Sequence, residues 1–475
     1  MTTRPSLDRT LDTPLFLQLY QRLREAIEQG RLAPGARLPS LRALASELNL
    51  ARGTVEAAYQ MLIGEGYAEA HGPAGTRVSP RLGGSLPERP ATPGPARTAA
   101  PAEAPRLEPF QLGLPALDAF PRKLWTRLVQ RHLRALAGPA MMTPDPVGHR
   151  PLRESLAAYL GVSRGIRCSP EQVFITTGHL ASLALVQRTL MRPGDRIWLE
   201  DPGYHHAREM LAALPLDCVP VPVDGEGLVV EAGCRRAADA RFALVTPTHQ
   251  SPTGVALSLP RRLALLDWAR RAEAWIIEDD YDSEYRYHGR PLPALKSLDE
   301  AGRVLYAGTL SKVLYPGLRM AYLVVPAAQV EAFRQSARLF PSGCPELMQA
   351  ALADFIEQGH FARHLKRMRS LYAERRAHTR EALLAAFGEG LRIDQQAGGM
   401  HLLAYLADGQ DDTAIAQRAR QAGLAVVPLS RWRLESRGAP GLALGFTNIA
   451  TPDEARHLAQ RLRAAAEATG VNTQT

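Results

Sequence analysis

From Leu107 onward, short apolar runs alternate with amphipathic stretches, and no other feature restricts the possible folds of this chain so strongly. Val173–Thr176, Ile197–Leu199, Phe242–Val245, Trp275–Ile277, Val304–Tyr306 and Ala321–Val325 read as short buried strands. Helical segments such as Ser258–Ala272 lie between several of them. Alternation of this kind predicts an α/β fold, with a mostly parallel sheet and helices on both faces. In such folds ligands bind beyond the carboxyl ends of the strands. The residues that follow each apolar run are therefore where chemistry is expected.

At 475 residues the chain exceeds one folding unit, since domains usually span about 100–200 residues. Its 45% hydrophobic and 22% charged composition is that of a soluble globular protein. No apolar run reaches the ~18 residues of a membrane span. The polar stretch Met1–Asp12 has no secretory core, so a cytoplasmic location is expected. Cys168, Cys218, Cys234 and Cys344 lie far apart without a Cys-x-x-Cys pair. That argues against a zinc site or disulfide framework and fits a reducing compartment. Residues 81–105 turn to Pro, Gly, Ala and scattered charge, the composition of an extended tether. The expected organisation is a domain at 13–80, a linker at 81–105 and a large domain at 106–470.

The net charge of +9 permits a polyanionic partner, yet acidic and basic residues nearly balance in residues 1–80. The pattern of that segment must carry any such claim. Leu15/Phe16, Leu19/Tyr20, Leu23 and Ala26/Ile27 recur at helical spacing, and Gly30 supplies a stop. Ser40 opens a second helix as N-cap, and a third carries Val55, Ala58/Tyr59 and Leu62/Ile63 on one face. Two short helices with a tight connection form a helix-turn-helix, and 67–78 reads as a hairpin or wing. Arg42, Arg52 and Thr54 fall at helix starts, the end that reaches base edges in the major groove. Arg52 either reads a base or touches a phosphate, and Arg77 on the wing is placed for phosphate. The wording from Pro14-Leu15 through Leu38-Pro39-Ser40-Leu41-Arg42 to Gly75-Thr76 closely resembles the winged helix of GntR-type bacterial repressors. The resemblance implies a DNA-binding domain, with Ser40, Gly75 and Thr76 joining those residues at operator DNA.

In the large domain, Thr176-Thr177-Gly178-His179-Leu180 opens a helix after the first strand, a place suited to phosphate. Tyr204 follows the second strand, and the polar turn His249-Gln250-Ser251-Pro252-Thr253-Gly254 follows the third. Glu278-Asp279-Asp280-Tyr281-Asp282 follows the fourth, a carboxylate cluster that needs a cationic partner. The fifth leads to Gly308-Thr309-Leu310-Ser311-Lys312, with Arg319 seven positions on. Lys312 stands out because 57 Lys plus Arg include Lys only at 123, 296, 312 and 366. Arg cannot replace a deprotonated primary amine in forming a Schiff base. An anion cradle, an aromatic plate, a carboxylate, a phenol and an amine at one end of a sheet suit pyridoxal phosphate.

Residues from about 107 to 470 resemble a fold-type-I aminotransferase, which carries a smaller α/β subdomain. The resemblance implies that Lys312 forms the Schiff base and that Asp279 partners the pyridine nitrogen. Tyr281 then stands near the cofactor hydroxyl and Tyr204 stacks on the ring. Thr309, Ser311 and Arg319 take the phosphate, together with Gly178, His179 and Leu180. A GntR-type winged helix fused to such a domain is the architecture of the MocR family of transcriptional regulators, which the whole chain resembles. Three positions depart from the aminotransferase pattern. Ala443 stands where an Arg grips the substrate carboxylate, Ser251 replaces the Asn of Asn-Pro-Thr-Gly, and Thr143 replaces a Tyr. His249 or Gln250 is then expected to supply the missing bond to the cofactor. Arg431, Arg433, His205 and His206 are the nearest substitutes for the lost Arg. The expected function is a pyridoxal-phosphate-binding regulator, acting as a homodimer, that senses the cofactor or a small amine. The alternative is a working aminotransferase with a regulatory winged helix.

Overall fold

The computed structural model of the protein describes residues 7–83, 106–289, 292–341 and 343–468. The chain divides into two compact units, Met1–Pro105 and Arg106–Thr475. Positions 84–105 of the expected linker lie outside the described residues.

In the first unit, α1 (Leu15–Glu28), α2 (Leu41–Leu48) and α3 (Arg52–Gly64) precede a hairpin of β1 (Ala68–Ala70) and β2 (Thr76–Val78). Ser40 caps α2 by accepting from Ala43 N at 3.1 Å, and Asn49 ends it with φ 51°. Only Asn49, Leu50 and Ala51 then separate α2 from α3. Leu19, Val55, Ala58, Leu62 and Val78 are fully buried together. Burying each Val or Leu stabilises by about 1.5–3 kcal/mol, so helix and hairpin share one core. The strip before α2 lengthens the wing sheet: Leu38 N donates to Thr76 O at 2.9 Å and Val78 N to Ala36 O at 2.8 Å.

The second unit holds two sheets. The large one contains β3 (Val173–Thr176), β4 (Arg196–Asp201), β5 (Asp217–Asp224), β6 (Gly227–Leu228), β7 (Phe242–Val245), β8 (Trp275–Asp280), β9 (Val304–Thr309) and β10 (Ala321–Val324). Their order is β3-β10-β9-β8-β7-β4-β5-β6. Pairs from β9 through β5 are parallel, whereas β10 is antiparallel to both β9 and β3. A smaller antiparallel sheet contains β11 (Leu391–Ile393), β12 (His401–Leu406), β13 (Val427–Pro428) and β14 (Gly441–Gly445), in the order β11-β12-β14-β13. Helices α4 (Arg122–Arg134), α5 (Arg150–Arg164), α6 (His179–Leu190) and α7 (His205–Ala212) come before or between the strands that carry the site.

Two differences from the sequence reading have clear causes. Strand β8 does not stop at Ile277; its ladder with β9 continues through Asp279↔Ala307 and Asp280↔Gly308. Acidic residues can occupy this buried strand because each is met by a partner. Glu278 accepts from Leu295 N and Lys296 N, both at 2.8 Å. Asp280 faces the Arg164 guanidinium at 2.5 Å and accepts from Tyr306 Oη at 2.7 Å. Arg164, the last residue of α5, is the cation that the carboxylate cluster required. The second difference is β5, hidden in the sequence by Pro220 and Pro222. No helix among the described residues is long and apolar enough to cross a membrane. Nor do those residues contain a cluster that could hold a metal ion.

Candidate functional site

Strands β3, β4, β7, β8 and β9 deliver their carboxyl ends to one place, and β10 starts there because it runs the other way. Gly178 and His179 follow β3, Tyr204 follows β4, His249 follows β7 and Lys312 follows β9. Asp279 lies within β8 and Tyr281 just beyond it. Arg319 precedes β10 in the left-handed conformation, φ 50°.

Lys312 Nζ is buried and donates to Gly113 O at 3.0 Å. Burial lowers its pKa, against the opposing charges of Asp282 and Asp279. Asp279 is also buried, and its pKa rises to about 8. Burial is the main cause and the adjacent Asp280 charge adds to it, while Lys312 acts the other way. The His179 ring places Nε2 3.3 Å from Asp279 Oδ2, and burial drives that imidazole down to about 4. It is therefore a neutral neighbour of the carboxyl at pH 7. The ring of Tyr204 meets His179 edge-on at 6.0 Å.

On the other side, His249 Nδ1 lies 3.0 Å from both Tyr281 Oη and Asp282 Oδ1. Burial, then the charges of Asp282 and Asp279, hold the Tyr281 phenol far above its usual pKa, so it stays a donor. Gln250 is fully committed elsewhere. Its Nε2 donates to Glu200, Pro202 O and Ser251 O, and its Oε1 accepts from Thr253. Of the two residues offered for the missing Asn bond, His249 is thus the one with a free buried nitrogen, Nε2.

The phosphate end rests on backbone. Gly178 has φ 115°, and a Cβ there would come within 3.1 Å of the Arg319 guanidinium. Leu180 is exposed in the first turn of α6. First-turn N–H groups have no partner within their own helix. Thr309 Oγ1 accepts from Ser311 N at 3.2 Å, which fixes the turn leading to Lys312. These features fit pyridoxal phosphate: a buried amine, a buried carboxyl, an unpartnered buried imidazole nitrogen at His249, and a cradle that only glycine leaves open.

At the substrate end, Ala443 is completely buried with Leu403, Leu429 and Trp432. Of the suggested substitutes, Arg433 donates to Gly438 O and Ala439 O, and Arg431 and His206 are exposed. His205 packs edge-on against Trp432, and burial lowers its pKa to about 4. None of the four lines the cavity of about 20 Å³ beside Tyr204 and Asp279. Arg208 does, held by Trp432 O and Arg431 O at 3.3 and 3.2 Å. Arg208 and Gly113 were both missed by the sequence reading. A cation one helical turn after Tyr204 was the available signal for the first; Gly113 had none.

In the first unit, Arg42 and Arg52 are exposed and Thr54 is half-buried near the start of α3. Ser40 spends its hydroxyl on the cap of α2. Arg77 is exposed and donates to Gly35 O at 2.9 Å. Thr76 and Gly75 lie at the wing turn, where Gly75 has φ 88°. Arg37 bridges to Arg77, and its Nε lies 3.2 Å from where a Gly75 Cβ would stand. It is a wing cation absent from the sequence reading, detectable only by its place before Leu38-Pro39-Ser40.

A winged helix and an aminotransferase-type fold with a buried lysine at its strand ends define DNA-binding regulators that carry an enzyme-derived domain. Residues 15–78 match the gntR family of bacterial regulatory proteins, and residues 117–462 match class I and II aminotransferases. The chain belongs to the MocR family of transcriptional regulators, with pyridoxal phosphate as its cofactor. It is 38% identical to the probable rhizopine catabolism regulatory protein MocR of Rhizobium meliloti, over 93% of this chain and 92% of that one. It is 34% identical to the pyridoxine biosynthesis regulator PdxR of Corynebacterium glutamicum, over 91% and 92%. Among solved structures, kynurenine aminotransferase of Pyrococcus horikoshii matches with TM-score 0.69 and 28% identity, over 77% of this chain and 92% of that one. The α-aminoadipate aminotransferase LysN of Thermus thermophilus, complexed with N-(5'-phosphopyridoxyl)-L-leucine, matches with TM-score 0.68 and 29% identity, over 76% and 92%.

Proposed function

We propose that this regulator senses pyridoxal phosphate itself or a small amine, and that its large domain does not act mainly as a transaminase. The observation that carries the reading is the contrast between Lys312 and Ala443. The amine is buried among groups suited to the cofactor, while the position of the substrate-gripping Arg is an alanine in a closed apolar core. Loss of a charge-assisted pair of that kind costs on the order of 2–5 kcal/mol of binding. Bound pyridoxal phosphate supplies an electrophilic carbon that exchanges one amine for another. In this reading Lys312 holds the cofactor covalently, Asp279 meets its ring nitrogen, and Tyr281 and His249 approach its hydroxyl. Tyr204 covers the ring, and Gly178, His179, Leu180, Thr309, Ser311 and Arg319 surround the phosphate. An effector's anionic end is directed to Arg208. The working divisions are 13–80 for DNA, 81–105 as tether and 106–470 as sensor, in a cytoplasmic homodimer.

Operator binding with and without pyridoxal phosphate tests the reading, using DNA from upstream of the protein's own coding region. Pyridoxal phosphate is expected to change the affinity at fixed salt. No change with cofactor or any amine, alongside rapid amino transfer to a keto acid, would favour the aminotransferase alternative. In the same assay Arg52→Ala is expected to weaken binding by about 1–3 kcal/mol. Arg37→Ala should act differently, lowering the slope of log affinity against log salt by about 1 across all sequences. A sequence-selective effect of Arg37→Ala would remove it from the phosphate contacts.

A further inference from the structure

Behind the strand that carries Asp279, the other face of β8 holds a buried charged network to which the site reading gives no task. Arg164 forms its centre. Its Nη2 lies 2.5 Å from Asp280 Oδ2 and 2.8 Å from Thr248 Oγ1, and its Nη1 donates to Leu292 O at 2.9 Å. The side chains of Arg164 and Asp280 are 4% and 3% exposed. Arg164 thus joins β8 to the turn after β7, and each segment presents ring-facing groups on the opposite side. Asp279 and Tyr281 flank Asp280, and His249 follows Thr248.

We propose that Arg164 is a positioning residue for the cofactor: it neutralises Asp280 behind Asp279 and locks the β8 and 247–254 segments in one register. This rests on the pyridoxal phosphate site described above. Asp280 and Asp279 are consecutive, buried and of like charge, so the compensation of one governs the field felt by the other. The groups facing Asp280 are Arg164 from α5, Tyr306 from β9, Tyr322 from β10 and Arg262 from the helix Leu259–Arg271, with Glu278, Asp279 and Glu284 from its own segment. Of the two cations, Arg164 is the one in ion-pair contact with Asp280, whereas Arg262 donates to Leu257 O, Pro293 O and Pro247 O. Burial opposes its charge, and Asp280, Tyr306 and Glu278 more than offset that, so its pKa is raised. Removing it leaves a buried carboxylate behind the ring nitrogen and releases Thr248 from β8.

The test uses the full chain reconstituted with pyridoxal phosphate, comparing wild type, Arg164→Met, Arg164→Lys and Arg164→Met/Asp280→Asn. Readouts are cofactor Kd, the pH midpoint of the bound cofactor's visible absorbance, and thermal melting. Arg164→Met is expected to weaken cofactor binding at least tenfold. It should also raise the midpoint by about one unit, because uncompensated negative charge favours protonated forms nearby. The double variant should regain an affinity within about threefold of wild type, since the charge needing compensation is gone. Arg164→Lys should fall between. Wild-type affinity and midpoint in Arg164→Met would overturn the proposal. So would a double variant no better than Arg164→Met, which would leave Arg164 a packing role only. If Arg164→Met does not fold, the double variant decides: recovered cofactor binding supports the proposal and continued failure overturns it. A wild-type chain that binds no pyridoxal phosphate would instead refute the site reading on which this rests.

Discussion

Lys312→Ala is expected to abolish the visible absorbance band of the bound cofactor and to weaken its binding on the order of 100-fold, about 2.8 kcal/mol. The amine's protein contact is the carbonyl of Gly113, and burial lowers its pKa, which enlarges the neutral fraction able to attack a carbonyl carbon. Replacing it with a methyl group removes that nucleophile while leaving Asp279, Arg319 and the glycine cradle in place. The apo-protein should melt within a few degrees of wild type, because no buried carboxylate loses a close ion pair. Equilibrium dialysis and absorbance check the first claim, and operator binding should become indifferent to pyridoxal phosphate. A band that survives in Lys312→Ala would place the attachment elsewhere.

The second large effect has opposite signs in two measurements. Asp279→Asn should weaken cofactor binding by roughly 100-fold or more, since a buried charge pair broken on one side costs about 3–5 kcal/mol. The same change should stabilise the apo-protein at alkaline pH. Asp279 titrates near 8 in the folded chain and near 3.8 when unfolded. A raised acid pKa means that the fold holds the proton, so stability is full below about 4 and declines as pH rises towards 8. Glu200 and Glu278, both pushed up to about 7 chiefly by burial, add to that decline. His179 and His401, both lowered to about 4 chiefly by burial, impose a separate loss as pH falls from 6.5 towards 4. The two windows overlap between about 4 and 6.5, where they oppose each other. Above 6.5 the acids' decline stands alone, and Asp279→Asn should make that alkaline decline shallower. Melting curves from pH 5 to 9, with and without cofactor, read both signs. A variant that loses cofactor affinity but gains no alkaline stability would show that Asp279 is ionised in the apo fold.

The winged helix was legible because helical spacing, the Ser40 cap and the Gly30 stop all agree locally. The strands were legible for a similar reason. Apolar runs mark where each strand lies, to the residue for β3 and β7 and short of the end for β4, β8 and β9. The residues that follow are fixed by the sequence itself, as for Gly178, Tyr204, His249 and Lys312. Contacts closed by distant segments were not legible. Gly113 reaches Lys312 across 199 positions. Nothing local singles out Arg164 as the partner of Asp280 in a chain whose positive charge is almost wholly arginine. Arg208 stands two positions beyond His206 with only its place one turn after Tyr204 to single it out, although it lines the cavity beside that ring. Strand β5 failed for another reason, because proline argues against a central strand and its position in the sheet could not be known.

That position has a consequence for how the molecule behaves in a crowded solution. Asp217 N donates toward β4, to Asp195 O, so the alternate residues Pro220 and Pro222 turn their backbone outward. Short β6 pairs only with Val223 and Asp224, which leaves that side of β5 uncovered along most of its length. The two prolines offer no N–H there, and Arg236 and Val229 N occupy their carbonyls at 2.6 and 2.9 Å. Along the two prolines an incoming chain finds neither a donor nor an unoccupied carbonyl on which to add a strand. Pro220 and Pro222 thereby interrupt this sheet margin against strand addition whether or not cofactor is bound.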